Sequence, residues 1–374
     1  WIPDNSQLHR HINIAVVYNI WQYYQITKDE YFLSFYGSEI MIPVTRFWAS
    51  KVNYNNSQDR YELCKLMGPD EYHDSYPDAS EPGIDNNAYT NVMVAWIFSK
   101  TLEMLEKLPA MRSQFIRESF QIEQEEIDSW DDISRKIKIP FHGDGIISQF
   151  ENYDQLQEFP WEHYLKKYDN IQRLDRILEA EGEDPNRYKL SKQADVLMLF
   201  YLLSDDELAE LFKRLNYPYE ENTIQKNINY YLERTSHGST LSRVVHAWVL
   251  SRSQRETSWS LFQDSLKSDI EDIQGGTTKE GIHLGAMAGT VDLILRCYSG
   301  IECRGDVLRF NNPFLPSDLE SLSFAIKYRG MWIDVNITND RIKLHCRSGK
   351  EKVQIAFKDK IHAMKPGQKK ELEF

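Results

Sequence analysis

A mainly α-helical chain, folded as a closed barrel of helical hairpins and finished by a small β-sandwich, is the fold class this sequence predicts. Two observations lead there. Long helical segments that are apolar on every side alternate with amphipathic ones in the first three hundred residues, and beyond Gly305 the apolar period drops to two. With 374 residues, 41% hydrophobic and 13% aromatic, the chain can bury a large core in two domains, read as residues 1–303 and 304–374.

In order, Leu8 to Thr27 carries two opposite apolar stripes, so it is a helix packed on both sides. The segment to Val52 is its antiparallel partner, and Pro43 inside it should kink or split the helix. The long-helix, short-turn rhythm recurs in Asn86–Leu108, Gln121–Lys136, Lys192–Leu203, Asp205–Leu215, Tyr219–Arg234, Leu241–Arg252, Ser258–Lys267 and Leu284–Tyr298. Spacing this uneven excludes a solenoid. The alternating stretches around Leu322–Tyr328, Met331–Ile337, Ile342–Cys346 and Val353–Phe357 are half-buried antiparallel strands, with turns at Arg329-Gly330, Asn339-Asp340 and Ser348-Gly349. No concentrated polar cluster marks this last part, and no chemistry is assigned to it.

A formal net charge of -13 excludes nucleic acid and anionic lipid as partners; the locally basic piece is the tail around Lys365, Lys369 and Lys370. Four cysteines without a CxxC pair point to a reducing compartment, the cytoplasm, and to no structural metal. There is no signal peptide and no apolar run near the ~18 residues of a membrane span. The chain begins at Trp1, within something helical, so a preceding domain is expected to be missing.

Four polar constellations carry the chemistry. In Gly68-Pro69-Asp70-Glu71-Tyr72-His73-Asp74, ahead of a helix capped by Asp85 or Asn86, Glu71 is the candidate general acid. Such a carboxyl must stay protonated near neutral pH, through desolvation or a neighbouring negative charge such as Asp70. A solvated acidic turn is the plainer alternative. Lys192 and Gln193, opening an apolar helix, can donate hydrogen bonds to a sugar, although a capped helix start would look the same. The run Arg234-Thr235-Ser236-His237-Gly238-Ser239-Thr240, and then Gly275-Gly276-Thr277-Thr278-Lys279-Glu280-Gly281-Ile282-His283, each suit an anion at a helix N-terminus or act as simple Ser/Thr caps.

Taken together in this order, GPDEYHD…DNNAYTN, KQADV, TSHGSTLS and GGTTKEGIHLGAMAGT resemble glycoside hydrolase family 65, which holds maltose, kojibiose and trehalose phosphorylases with a minority of hydrolases. The resemblance runs from Trp1 to about Lys360. It implies an (α/α)6 barrel, incomplete at its N-terminus, followed by a C-terminal β-sandwich. Carried over, Glu71 is similar to the proton donor and Lys192 with Gln193 to the sugar-binding pair. His237, Gly238, Ser239, Thr240 and His283 correspond to the phosphate side, while Asn87 and His73 line the sugar pocket. No cofactor is implied, inorganic phosphate being the co-substrate, and the partners are a disaccharide and, in a homodimer, a second copy. Three departures stand out: the family's N-terminal β-sandwich and early barrel helices lack a counterpart, the loop SYPDASEPGI is long, and Pro43 precedes Arg46-Phe47-Trp48 where the family has a helix-compatible residue.

The reaction expected is inverting phosphorolysis of an α-glucoside to β-glucose 1-phosphate. An inverting hydrolase would need a second carboxylate ~6.5–9.5 Å away to activate water, and Glu233 or Glu280 are the alternatives for that base. An inactive carbohydrate-binding fragment is the remaining reading.

Overall fold

The computed structural model describes residues 5–358 and 360–374, with the side chain of Glu280 outside the description. It is mainly α-helical and ends in β structure. Two compact units divide it, Trp1–Tyr18 with Ser34–Val245, and Asn19–Leu33 with His246–Phe374.

The first helix, α1, is Ile12–Thr27. A single turn, α2 (Glu30–Phe32), is capped by Asp29, whose carboxylate accepts from Phe32 N–H at 2.8 Å. A π-helical turn, Leu33–Gly37, leads into α3 (Ser38–Ala49). Pro43 does not split this helix. The irregularity lies a turn earlier, where the wider π-turn loosens the ladder. A hairpin absent from the expectation follows, β1 (Val52–Asn55) with β2 (Arg60–Leu63).

At the centre of the first unit is α4 (Ala88–Lys107), whose residues Val92 to Phe98 are all buried. It is the inner helix that the all-round apolar sequence predicts. Next come α5 (Ala110–Phe120) and α6 (Gln124–Lys136). The expected start at Gln121 fails because that residue adopts φ +51° and ends α5 as a left-handed cap. Two-residue strands β3 (Phe141–His142), β4 (Ile146–Ile147), β5 (Gln157–Glu158) and β6 (Tyr188–Lys189) punctuate the following stretch, with α7 (Trp161–Lys167) and α8 (Leu174–Glu181). The almost wholly buried α9 (Asp195–Leu202) and the amphipathic α10 (Asp205–Arg214) both pack on α4, as do α3 and α6. In α10 the buried side is Leu208, Leu211 and Phe212, one stripe at helical spacing. Then come α11 (Thr223–Leu232) and α12 (Thr240–Leu250).

The second unit packs α13 (Arg255–Lys267) against α14 (Leu284–Asp292), which continues as a π-helical turn, Leu293–Tyr298. Its β part contains β7 (Ile301–Arg304), β8 (Val307–Phe310), β9 (Ser321–Tyr328), β10 (Met331–Thr338), β11 (Arg341–Ser348), β12 (Val353–Phe357), β13 (Lys360–Met364) and β14 (Lys369–Glu373). They form two four-stranded sheets, ordered β14-β11-β10-β9 and β13-β12-β8-β7. Ile333, Val335, Ile337, Ile342 and Leu344 from one sheet share a core with Leu308, Phe310 and Ile355 from the other, so the pair is a sandwich. Each such buried aliphatic or aromatic side chain contributes roughly 1.5–3 kcal/mol. The Arg329-Gly330 turn is as expected: φ values of +50° and +77° match the twist of β9 and β10. Of the basic tail, by contrast, Lys369 and Lys370 lie in strand β14, paired with β11.

Among the described residues no helix is long and apolar enough to cross a membrane, and no cluster of side chains suits a metal ion.

Candidate active site

Three of the four polar constellations meet in the first unit. The Glu71 loop lies between β2 and α4, the Lys192-Gln193 segment between β6 and α9, and the hydroxyl-rich loop between α11 and α12. Backbone bonds join the last two, since Ser191 N–H donates to Arg234 O and Ser236 N–H to Ser191 O, both at 2.8 Å. The Glu71 loop is fastened to them by the buried carboxylate of Asp70. One oxygen accepts from the N–H groups of Lys192 (2.6 Å) and Gln193 (3.2 Å), the other from Gln149 Nε2 (2.9 Å). Tyr72 adds a hydroxyl contact to Ser236 Oγ at 3.1 Å.

Asp195 secures the same loop from α9. It accepts from Asp70 N–H at 2.6 Å through Oδ1 and from Asn87 Nδ2 at 2.7 Å through Oδ2. Burial pushes this carboxyl well above the ordinary range, the charge of Asp70 adds to the rise, and the Asn87 and Asp70 N–H bonds oppose it. Gly68 is what allows so close an approach. A Cβ there would stand 2.0 Å from Asp195 Oδ2 and 2.5 Å from Asn87 Nδ2. Gly238 has the same role on the hydroxyl loop, where a Cβ would meet Gln172 O at 2.5 Å, the Tyr72 hydroxyl at 2.7 Å and the stem of Lys192 at 3.0 Å.

Glu71 is held with φ +67°, Asn86 with +51° and His237 with +55°. Left-handed backbone costs a non-glycine residue roughly 1–2 kcal/mol, and such strain gathers where side-chain aim matters more than stability. The environment of Glu71 corrects the expectation. Its side chain is 47% exposed rather than desolvated, and the Asp70 carboxylate turns inward. Its partner is the Lys192 ammonium, 2.6 Å from Oε2.

Several of the remaining expected residues hold the loops together. Gln193 donates from Nε2 to Pro69 O at 2.9 Å, and its buried Oε1 has no partner among the described residues. Asn87, expected to line the sugar pocket, is fully buried and is itself the N-cap of α4, in place of Asp85 or Asn86; its Oδ1 accepts from Thr90 N–H at 2.9 Å and its Nδ2 donates to Asp195 and to Gln149 O. His73 likewise supports rather than lines. It is 2% exposed, Nε2 faces Tyr188 O at 2.9 Å and Nδ1 faces Asp70 at 3.1 Å, which leaves no polar ring atom for a sugar.

On the hydroxyl loop His237 Nδ1 meets Ser242 Oγ at 3.0 Å. Ser239 Oγ accepts from Leu241 N–H at 3.2 Å, a cap for the start of α12, and Thr240 is buried. The fourth loop belongs to the second unit. There Asp272 takes the Gly276 and Thr278 N–H groups at 2.7 and 3.2 Å, so an internal carboxylate sits where the glycine-rich loop was expected to cradle phosphate. Those bonds, led by Thr278, hold its carboxyl below the usual range. His283 pairs with Asp269, Nδ1 to Oδ1 at 2.6 Å. Of the two alternative bases, Glu233 has a 79% exposed side chain near Arg234 at 3.8 Å, and the Glu280 side chain lies outside the described residues.

Sequence reasoning gave no role to Asp195, Gln149 or His11. An Asp directly ahead of the apolar run Val196-Leu197-Met198-Leu199-Phe200 was the available signal for the first. Nothing in the local pattern distinguished the other two.

Comparison with known proteins gives two family matches, the glycosyl hydrolase family 65 central catalytic domain over residues 1–292 and the glycosyl hydrolase family 65 C-terminal domain over residues 301–363. An uncharacterized glycosyl hydrolase of Mycobacterium tuberculosis is 46% identical over 98% of this chain and 28% of its own length. Trehalose 6-phosphate phosphorylase of Lactococcus lactis is 37% identical over 92% of this chain and 43% of its own, and kojibiose phosphorylase of Caldanaerobacter subterraneus 32% over 97% and 44%. The chain thus spans less than half the length of these relatives. A solved structure of a kojibiose phosphorylase candidate from the human microbiome shares the fold, with a TM-score of 0.77 at 22% identity over 97% of this chain and 49% of that one.

Proposed function

The chain belongs to glycosyl hydrolase family 65, and on that premise we propose that it carries the chemistry of an inverting disaccharide phosphorylase acting on an α-glucoside. Glu71 gives its proton to the glycosidic oxygen while inorganic phosphate attacks the anomeric carbon from the opposite face. The bond to the leaving sugar breaks as the bond to phosphate forms, and β-glucose 1-phosphate results. Lys192 and Gln193 hold sugar hydroxyls; Gly238, Ser239, Thr240 and His237 form the phosphate side.

The observation that carries this reading is the Glu71–Lys192 pair, set where three polar loops are bonded into one piece. Sugar hydroxyls that draw Lys192 onto themselves free Glu71 to act as the acid. The names of the Lactococcus and Caldanaerobacter relatives add weight to phosphate as the nucleophile. A hydrolytic reading has the name of the Mycobacterium relative in its favour. It needs a held second carboxylate, however, and the exposed Glu233 is poorly suited to that task. Four unpaired cysteines suit a reducing compartment, so the cytoplasm is the proposed location.

The test is to incubate the full-length protein with maltose, kojibiose, nigerose, trehalose and trehalose 6-phosphate, with and without phosphate, and to follow glucose 1-phosphate. Consumption that requires phosphate supports the proposal. Glucose release without it turns the assignment to a hydrolase, and no turnover of any sugar leaves the carbohydrate-binding fragment as the reading.

A further inference from the structure

Two histidines stand just before and at the entry to α1, and neither figures in the mechanism above. Their segment is fixed to the approach of the Glu71 loop, for Met67 N–H donates to Leu8 O at 3.2 Å. The His11 ring meets His9 edge-on at 5.3 Å and Tyr89, on the first turn of α4, at 5.9 Å. Nδ1 of His11 and Nε2 of His9 are both shielded from solvent, and neither has a hydrogen-bond partner among the described residues. A buried polar group without a partner costs about 1–3 kcal/mol, and the cost is removed by a partner that arrives with a ligand.

We propose that His11 is a sugar-binding residue at the approach to the Glu71 loop, its Nδ1 sharing a hydrogen bond with a hydroxyl group of the bound carbohydrate. This rests on the reading of Glu71 as the centre of a carbohydrate site. Three observations choose a hydroxyl over other ligands. Leu8, in the same segment, is bonded to Met67 and the ring packs on Tyr89, so the ring borders the approach to the loop that presents the acid. Nδ1 is shielded and has no partner among the described residues, so a group that reaches it must bring the hydrogen bond. Burial, with His9 adding to it, lowers the His11 pKa to about 4, which keeps the ring uncharged at neutral pH and offers no cation to an anion.

Gln193 Oε1 is a second such atom at the same loop. It too is buried without a partner, on a side chain anchored to Pro69 O. The stretch Met67 to Glu71 is therefore bordered by two shielded polar atoms without partners. A sugar ring with several hydroxyls can meet both.

The experiment measures disaccharide binding by calorimetric titration without phosphate, using full-length protein carrying Glu71→Gln to prevent turnover, with and without His11→Phe and His11→Asn. Phe keeps the ring contacts and removes the polar atom; Asn restores one. His11→Phe should weaken binding about 10- to 100-fold, the worth of a buried polar group left without its partner. His11→Asn should recover part of that loss. Among monodeoxy analogues of the sugar, one should lose affinity in the His11 protein yet bind the His11→Phe variant no worse than the parent sugar does, the signature of a shared bond. Equal binding by the His11→Phe variant, or deoxy losses identical in both backgrounds, overturns this inference alone. A His11 protein that binds no sugar overturns the reading of the site and this inference with it. A thermal melt of each variant separates lost binding from lost folding, and if His11→Phe is unfolded the Asn variant and the deoxy series on the His11 protein decide.

Discussion

The ammonium of Lys192 lies 2.6 Å from the carboxylate of Glu71, although 121 residues separate them in sequence. With the Glu71 side chain 47% exposed, this pair is worth about 1 kcal/mol at most to the fold. Its value lies in aim. The same ammonium that orients the acid in the free protein can bond a sugar hydroxyl in the bound one.

Replacing Glu71 by Gln removes the transferable proton and keeps the shape. Turnover of the disaccharide should fall by roughly 10² to 10⁴, with sugar affinity retained. Steady-state rates and a binding titration check both parts, and a loss below tenfold would place the donor elsewhere.

Lys192→Met deletes a charged donor and keeps most of the stem against Gly238. The catalytic efficiency kcat/KM should drop about 10- to 100-fold, as for loss of a hydrogen bond to a charged group. Thermal stability should hardly change, given the small worth of the ion pair. A large fall in melting temperature with unchanged kinetics would make Lys192 a structural residue.

Gly68→Ala should destabilise the protein by about 1–3 kcal/mol, since its Cβ would enter the space of Asp195 Oδ2. Gly285→Ala, inside α14 and with nothing within 4 Å of a Cβ, should instead be neutral or stabilising by up to about 1 kcal/mol. Paired denaturation curves decide; equal effects would mean that the Asp195 contact is not tight in solution.

His11 makes the fold sensitive to acid. Its folded pKa of about 4 is below the ordinary value of 6.5 that the unfolded chain approximates, so between these the unfolded state binds more protons. Stability from this group is complete above pH 6.5 and declines as the pH falls toward 4. Melting temperature against pH should therefore slope less in His11→Gln than in the parent over that window. Parallel curves would mean that the ring titrates normally.

The parts of the fold set by local periodicity were legible. The unbroken apolar run of α4 and the alternation in β9 to β12 are properties of adjacent residues, and the elements formed where those patterns lie. Boundaries were less legible. Asp85, Asn86 and Asn87 are all competent caps, and the choice of Asn87 depends on Ala88 N–H reaching Gln149 O at 2.9 Å, a partner the pattern does not reveal. For the site, the motifs located the loops, but a polar side chain in a motif looks the same whether it faces ligand or holds its neighbour. Asn87 and His73 were read as the former and are the latter. Asp195 was missed because its bond to Asp70 spans 125 residues.

The bridge between Ser191 and Thr235 and the Asp70 clamp unite segments that are distant along the chain. Such joins come late in folding, because closing long loops has to precede any reward from the contacts they permit. During refolding from denaturant, recovery of far-ultraviolet helical signal should accordingly run ahead of recovered sugar binding, with the ligand acting as the slower clock.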